Sequence, residues 1–330
     1  MKAGTDPRRP VEEVKLLYVD SRAGAWRDGR FTELPALLGP GDLLVLNDAA
    51  TLPASLRAGD VEVRLAGEVE GGWRAVLFGA GDWRTDTDFR PPPPRVNPGT
   101  RLRFADDLEA TVESISTVSP RLVTLRFAQS GAALWGALYR HGRPVQYSYL
   151  EAPLPLDAVQ TGYAARPWAS EMPSAGRPLR WPVLSKLLDA GVKVATLTHA
   201  AGLSATGDKA LDAALPLPER YELPAATVEA VQDAKRVIAV GTTVVRALEG
   251  NARSNGGSLV AGRGETDLVI GPQTSLSVVD GILSGMHEPG TSHFSLLRAF
   301  APEGLLEQAA AHAEDAGYLV HELGDSTLVV

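Results

Sequence analysis

The sequence predicts an α/β fold, with an α/β domain interrupted by a small inserted antiparallel β-barrel. Two patterns predict it. In the C-terminal half, helical and strand segments alternate, as they do when helices pack on a sheet. Between Asp60 and Phe127, short β-rich runs recur with turn residues between them and no helical periodicity, the pattern of a small barrel. Length agrees, since 330 residues exceed the roughly 100–200 of one domain. The boundaries that follow are residues 1–58 and 132–330 for the α/β domain and 59–131 for the inserted barrel.

The barrel strands are Val61–Ala66, Trp73–Phe78, Arg101–Phe104, Ala110–Ile115 and Leu122–Phe127. Gly-Gly, Gly-Asp, Asn-Pro-Gly and Ser-Pro turns separate them, and Pro91–Pro94 is a stiff extended spacer. The insertion lies between Asn47–Leu56 and a helix over Ala132–Arg140. In the α/β part, Pro182–Ala190 begins with Pro and stops at Gly191, which is helix start and stop chemistry. Val192–Leu197 then reads as a buried strand. Ala225–Arg236 is a helix, Val237–Val240 a strand and Thr243–Asn251 a helix. Leu268–Ile270 and Leu276–Val279 read as further strands. Helices over Thr291–Phe300 and Leu305–Ala316 follow, and Tyr318–Glu322 and Thr327–Val330 close the chain as strands.

Composition narrows the function classes. Hydrophobic residues are 44% and charged residues 22%, which excludes a disordered chain, a fibre or a coiled coil. There is no cysteine, so disulfides, thiolate metal sites and a cysteine nucleophile are excluded. Lys and Arg number 32 against 40 Asp and Glu, a net charge of −8. That excludes a generally basic nucleic-acid coat but not a local basic patch. No apolar signal core follows the N-terminus and no run is apolar enough to span a membrane, so a cytoplasmic location is expected.

Several short segments could carry chemistry. Gly241-Thr242-Thr243 follows the apolar strand Val237–Val240 and opens a helix. Gly241 permits a tight turn, and the threonines present hydroxyls beside free helix N–H groups. Such a tip binds carboxylate, phosphate or ribose oxygens. Arg246, one turn later, is expected at the solvated surface as a fork for a carboxylate. The plainer reading is a capped helix with an Arg246–Glu249 surface pair. His287 lies in the loop Met286-His287-Glu288-Pro289-Gly290, where a general base could be displayed. His287 and His293 lack metal-ligand spacing, so no metal is expected.

Ser174-Ala175-Gly176 is a small-residue loop that would let a flat ligand approach the backbone. Ser174 has no nucleophile elbow around it. Thr198 and His199 end the strand VKVATL, where α/β proteins bind ligands beyond strand C-termini. Asp48 follows a buried strand and Asp325 sits in a turn; either could be an ordinary turn residue. No dinucleotide or NTP-binding glycine loop is present.

Taken in order, these segments resemble the S-adenosylmethionine:tRNA ribosyltransferase-isomerase family of queuosine biosynthesis. The matching stretches are Gly41–Leu56, Gln160–Ala164, Met172–Gly176, Gly191–Thr198, Glu219–Leu223, Val237–Glu249, Met286–Ser292 and Gly324–Asp325. The resemblance implies the barrel-interrupted α/β fold. It also implies transfer of the ribosyl portion of S-adenosylmethionine onto 7-aminomethyl-7-deazaguanine in tRNA, releasing adenine and methionine and leaving epoxyqueuosine. S-adenosylmethionine is then a substrate, tRNA the acceptor, and no metal, redox centre or other cofactor is implied. By matched position His287 is the catalytic base. Thr242, Thr243 and Arg246 hold the methionine carboxylate or ribose, and Ser174, Ala175 and Gly176 line the nucleoside. Thr198, His199, Asp48 and Asp325 complete the substrate-binding set. The chain departs from the family's histidine positions at Arg177-Pro178-Leu179, Thr198-His199 and Leu217-Pro218. These departures favour an alternative, a divergent paralogue that binds S-adenosylmethionine or another nucleoside without the tRNA reaction.

Overall fold

The structure is a computed structural model and describes residues 1–330. Its main element is a nine-stranded mixed sheet. In spatial order the strands are Gly262–Thr266, Glu219–Leu223, Lys193–His199, Asp42–Asn47, Arg236–Val240, Gly281–Gly285, Ser326–Val329, Lys15–Asp20 and Ala25–Arg30. The four central strands, from Lys193–His199 to Gly281–Gly285, run parallel. Asp42–Asn47 is buried along its whole length, as a strand covered on both faces must be.

Side-chain alternation divides the core into two layers. Leu43, Val45, Val237, Ala239, Ile282 and Val329 face the helices Thr242–Ser254, Ser292–Leu297 and Glu303–Asp315. Leu44, Leu46, Ile238, Val240, Leu283 and Leu328 face the opposite layer, where the helix Trp181–Asp189 contributes Val183, Leu184 and Leu187. Burial at about 25 cal/mol per Å² of apolar surface holds helices against both faces of the sheet.

A second, six-stranded sheet is antiparallel throughout. Its order is Ser55–Ala58, Val61–Val69, Gly72–Phe78, Leu122–Phe127, Leu108–Ile115 and Arg101–Ala105. The first and last strands also lie against each other, so the sheet is nearly closed and barrel-like. Leu56, Val63, Leu65, Trp73 and Val112 fill it, joined by Leu134 and Leu138 of the helix Gly131–His141. Each of the β-runs read between Val61 and Phe127 is a strand here.

Some element expectations are corrected. Leu268–Ile270 and Leu276–Val279 are not strands. The carboxylate of Glu249 accepts the amides of Ser277, Val278 and Val279 at 2.9–3.1 Å, so these donors meet a side chain instead of a neighbouring strand. The strands of this region are Gly262–Thr266 and Gly281–Gly285, on either side. The helix begun at Ala225 ends at Asp233, and Arg236 already belongs to the next strand. Tyr318–Glu322 shortens to the two-residue strand Leu319–Val320, which pairs with Lys2–Ala3.

Candidate functional site at the sheet edge

Topology delivers the polar positions to one edge. The parallel strands ending at Asn47, His199, Val240 and Gly285 finish on the same side of the sheet. Ser326–Val329 runs antiparallel to Gly281–Gly285, and Glu219–Leu223 to Lys193–His199, so both begin there. Asp48, Thr198, His199, Gly241-Thr242-Thr243, His287 and Asp325 all follow or precede these ends, as α/β architecture requires.

Asn47 ties three strand ends together. Its Nδ2 donates to the His199 carbonyl at 3.0 Å and to Thr243 Oγ1 at 3.2 Å, and its Oδ1 accepts the His199 amide at 2.9 Å. Beside it, Thr198 Oγ1 donates to Asp48 Oδ1 at 2.5 Å. Gly241 has φ +90°, a left-handed conformation that suits glycine, and from it the helix Thr242–Ser254 starts with its first-turn amides unsatisfied by the helix itself. The Ser174–Gly176 turn packs on this point, since a Cβ at Gly241 would lie 3.4 Å from Ala175 Cβ. Gly176 is required in turn, because a Cβ there would fall 1.8 Å from the Tyr163 hydroxyl. Burial, and then Asp48, push the Tyr163 phenol above its ordinary value, so it stays a neutral donor.

Arg246 departs from its expected surface position. It is only 8% exposed. Its Nη1 donates to Glu219 Oε2 and its Nε to the Leu268 carbonyl at 3.0 Å, while Glu219 Oε1 accepts the Gly202 amide at 2.6 Å. The guanidinium is thus a buried, paired charge rather than a solvated fork, and Glu249 is not its partner. His199 lies against the same pair, with Nε2 at 3.5 Å from Glu219 Oε2. Neither of its ring nitrogens has a hydrogen-bond partner. Burial first, and Arg246 second, hold its pKa well below the ordinary value, so the ring is neutral.

A pH effect follows. His199 takes its proton only in the unfolded chain, so no penalty exists above the unfolded value of 6.5. As pH falls below that value, unfolding gains up to about 1.4 kcal/mol per pH unit until the folded pKa is reached. Relative to His199→Asn, the native chain is therefore expected to lose stability between about pH 7 and pH 5 in urea titrations. Parallel pH profiles of the two proteins would remove this account.

His287 is partly buried at the same edge. Its Nε2 lies 2.8 Å from Ser284 Oγ, and its ring stacks on His293 with centroids 4.9 Å apart. Burial, then His293 and His321, push its pKa well down. It is a neutral imidazole whose Nδ1 makes no hydrogen bond. Asp325 behaves differently. It is buried, and its carboxylate accepts the Lys15 amide at 2.7 Å, the Leu319 amide at 2.8 Å and Arg9 Nη2 at 2.9 Å. Those contacts fasten the N-terminal segment to the final turn, a structural task. No group of three or more His, Asp or Glu side chains is placed to hold a metal ion.

The family model described as queuosine biosynthesis protein matches residues 2–329. The chain belongs to the queuosine biosynthesis protein family. Relatives in that family include proteins named S-adenosylmethionine:tRNA ribosyltransferase-isomerase. One from Rubrobacter xylanophilus is 32% identical, covering 98% of this chain and 92% of its own length. One from Anaeromyxobacter dehalogenans is 35% identical, covering 98% and 94%. The crystal structure of S-adenosylmethionine tRNA ribosyltransferase from Thermotoga maritima shares the fold, with TM-score 0.54 at 23% identity over 99% of this chain and 96% of that one.

Sequence reading of this queuosine-family chain missed Asn47, Glu219, Tyr163 and Glu171. Asn47 had a signal, as the polar residue that ends the buried run Asp42–Leu46. Glu219 lay within a matching stretch, but nothing local marked its partner, 27 residues away. Glu171 accepts the Tyr147 hydroxyl and the Ser204 amide, the latter at 3.0 Å, and its charge reaches Glu219.

Proposed function

We propose that this chain is an S-adenosylmethionine:tRNA ribosyltransferase-isomerase. The observation that carries the reading is full-length similarity to relatives of that name, 32% and 35% identical over 98% of the chain. The sheet edge supports it with suitable chemistry. A base must remove a proton from the carbon beside the sulfonium, whose positive charge acidifies it. His287 is our candidate, because a neutral imidazole with an uncommitted Nδ1 accepts a proton directly or through one water. Thr242, Thr243 and the helix amides would receive ribose or carboxylate oxygens. The turn Ser174-Ala175-Gly176, packed on Gly241, would lie along the nucleoside, with Thr198, His199 and Asp48 beside it. The remaining work is holding two large substrates in register, a major source of rate in such reactions.

In this reading the barrel over residues 59–131 is an insertion in the α/β domain formed by 1–58 and 132–330. The reaction needs no metal or cofactor besides its two substrates, and the protein acts in the cytoplasm. One observation favours the paralogue reading: Arg246 is already bound by Glu219, so the carboxylate fork expected for S-adenosylmethionine is occupied. Incubation with S-adenosylmethionine and tRNA bearing 7-aminomethyl-7-deazaguanine separates the two readings. The enzyme is expected to release adenine and methionine, read by mass spectrometry. Its tRNA affinity is expected to fall more than about tenfold between roughly 50 and 200 mM salt, because phosphate contacts release counterions. Binding of S-adenosylmethionine with no adenine release would install the paralogue instead.

A further inference from the structure

A cavity separate from His287 lies between the segment Val145–Val159 and the turns at Met172 and Glu322. It offers about 30 Å³, room for roughly two waters or one compact head group, and too little for a whole nucleobase. Eight of its 12 lining residues are hydrophobic, and none is Lys, Arg or His. Its ionisable acids are Glu171 and Glu322. Glu322 Oε2 is buried with no hydrogen-bond partner. The Tyr147 hydroxyl and Ser204 amide both meet Oε1 of Glu171.

Aromatic rings form one wall. Tyr147 and Tyr149 stack with centroids 6.2 Å apart, and Tyr149 stacks on His321 at 4.3 Å and 4° between planes. His321 has φ +67°, a left-handed conformation that is uncommon for a residue with a Cβ. That turn sets its ring on Tyr149 while the next residue, Glu322, lines the cavity. Arg64 stands over the Tyr147 ring at 5.3 Å and is tied to Glu62 at 2.8 Å, while Arg177 donates to the Leu323 carbonyl at 3.4 Å from outside the lining.

We infer that this cavity binds a compact organic cation, a sulfonium or primary ammonium, between the aromatic wall and the Glu322 and Glu171 carboxylates. A buried acceptor without a donor is costly, and burial raises the pKa of both acids. A ligand that brings positive charge favours their ionised form, and ring faces with no cation in the lining suit such a ligand. Naming the source as the sulfonium or ammonium of S-adenosylmethionine, or as the aminomethyl group of the modified base, rests on the function proposed above. The site itself does not.

The test uses the full chain with ¹³C-labelled tyrosine and trimethylsulfonium chloride as probe, with sodium chloride at equal ionic strength as control. Tyr147→Phe and Tyr149→Phe assign the signals. Saturable shifts of both rings are expected, weakened at least tenfold in Glu322→Gln. Glu171→Gln serves as the second variant if Glu322→Gln does not fold. No shift beyond the salt control, or shifts unchanged in the folded variants, would overturn the cavity assignment whatever the enzyme does. Calorimetry then distinguishes the sources. Preference for S-adenosylmethionine over its neutral-sulfur counterpart S-adenosylhomocysteine, lost in Glu322→Gln, assigns the sulfonium. Preference for tRNA with the aminomethyl base over tRNA with guanine, lost likewise, assigns the amine. Ring shifts in a protein that never releases adenine would keep the site and remove the transferase reading.

Discussion

Glu219→Ala is expected to cost about 3–5 kcal/mol of stability, the range for breaking a buried ion pair by removing one partner. Arg246 would be left buried with a guanidinium facing no carboxylate, and the Gly202 amide would lose its acceptor. His199, already without a hydrogen-bond partner on either ring nitrogen, offers no ready replacement. Arg246→Met should cost less. Burial raises the Glu219 pKa, with Arg246 opposing, so an orphaned Glu219 can neutralise itself by taking a proton. Glu219→Leu combined with Arg246→Met should recover much of the loss, because an apolar pair of similar volume is often as stable as a buried ion pair. Urea denaturation of Glu219→Leu, Arg246→Met and the double variant gives the coupling, expected to exceed about 1 kcal/mol. A Glu219→Ala protein within about 1 kcal/mol of the native chain would show that this pair is not the constraint described.

The same pair marks where sequence reading stops. Alternating helices and strands were legible because a strand buried on both faces, such as Asp42–Asn47 or Arg236–Val240, must be apolar along its length. The barrel strands were legible because turn residues punctuate them. Two of the strands that escaped are instructive. Ala25–Arg30 and Gly262–Thr266 occupy the two outer edges of the nine-stranded sheet. Their sequences, AWRDGR and GRGET, are rich in charge and glycine, which suits an exposed edge but leaves no hydrophobic period to read. Leu268–Ile270 failed in the opposite direction. Leu268 and Ile270 pack on the core while Val269 is exposed, and the amides farther on, at Ser277–Val279, are taken by Glu249.

For the site, the rule that ligand positions follow strand ends placed Asp48, Thr198, His199, Thr242, Thr243 and His287 on one edge. It did not say which polar groups the protein uses on itself. Arg246 and Asp325 look available in sequence because their partners are distant, Glu219 being 27 positions from Arg246 and Lys15 310 from Asp325. Pairing at such separations is a property of the fold, and no local pattern records it.

His287 carries the second large effect. If it is the base that takes the proton beside the sulfonium, His287→Ala should lower adenine release by about 10²–10⁴-fold, the usual worth of a positioned general base. S-adenosylmethionine affinity should change only a few-fold, since the ring's recorded partners are Ser284 and His293, both internal. Ser284→Ala should fall between the two. It removes the hydroxyl that fixes Nε2 and so the aim of Nδ1, but leaves the base in place. The pH dependence separates a base from a bystander. The folded pKa of His287 lies well below 6.5, so the neutral, proton-accepting form persists as pH is lowered from 8 through about 6. The native rate should therefore show no loss attributable to His287 over that interval. Ser284→Ala should move the acidic limb of the profile, because the ring loses its hydrogen-bond partner while its burial stays. A His287→Ala enzyme that releases adenine within tenfold of the native rate would move the base elsewhere on the edge. Tyr163, packed against Gly176, and Asp48, whose charge raises the Tyr163 pKa, would be the next two to replace.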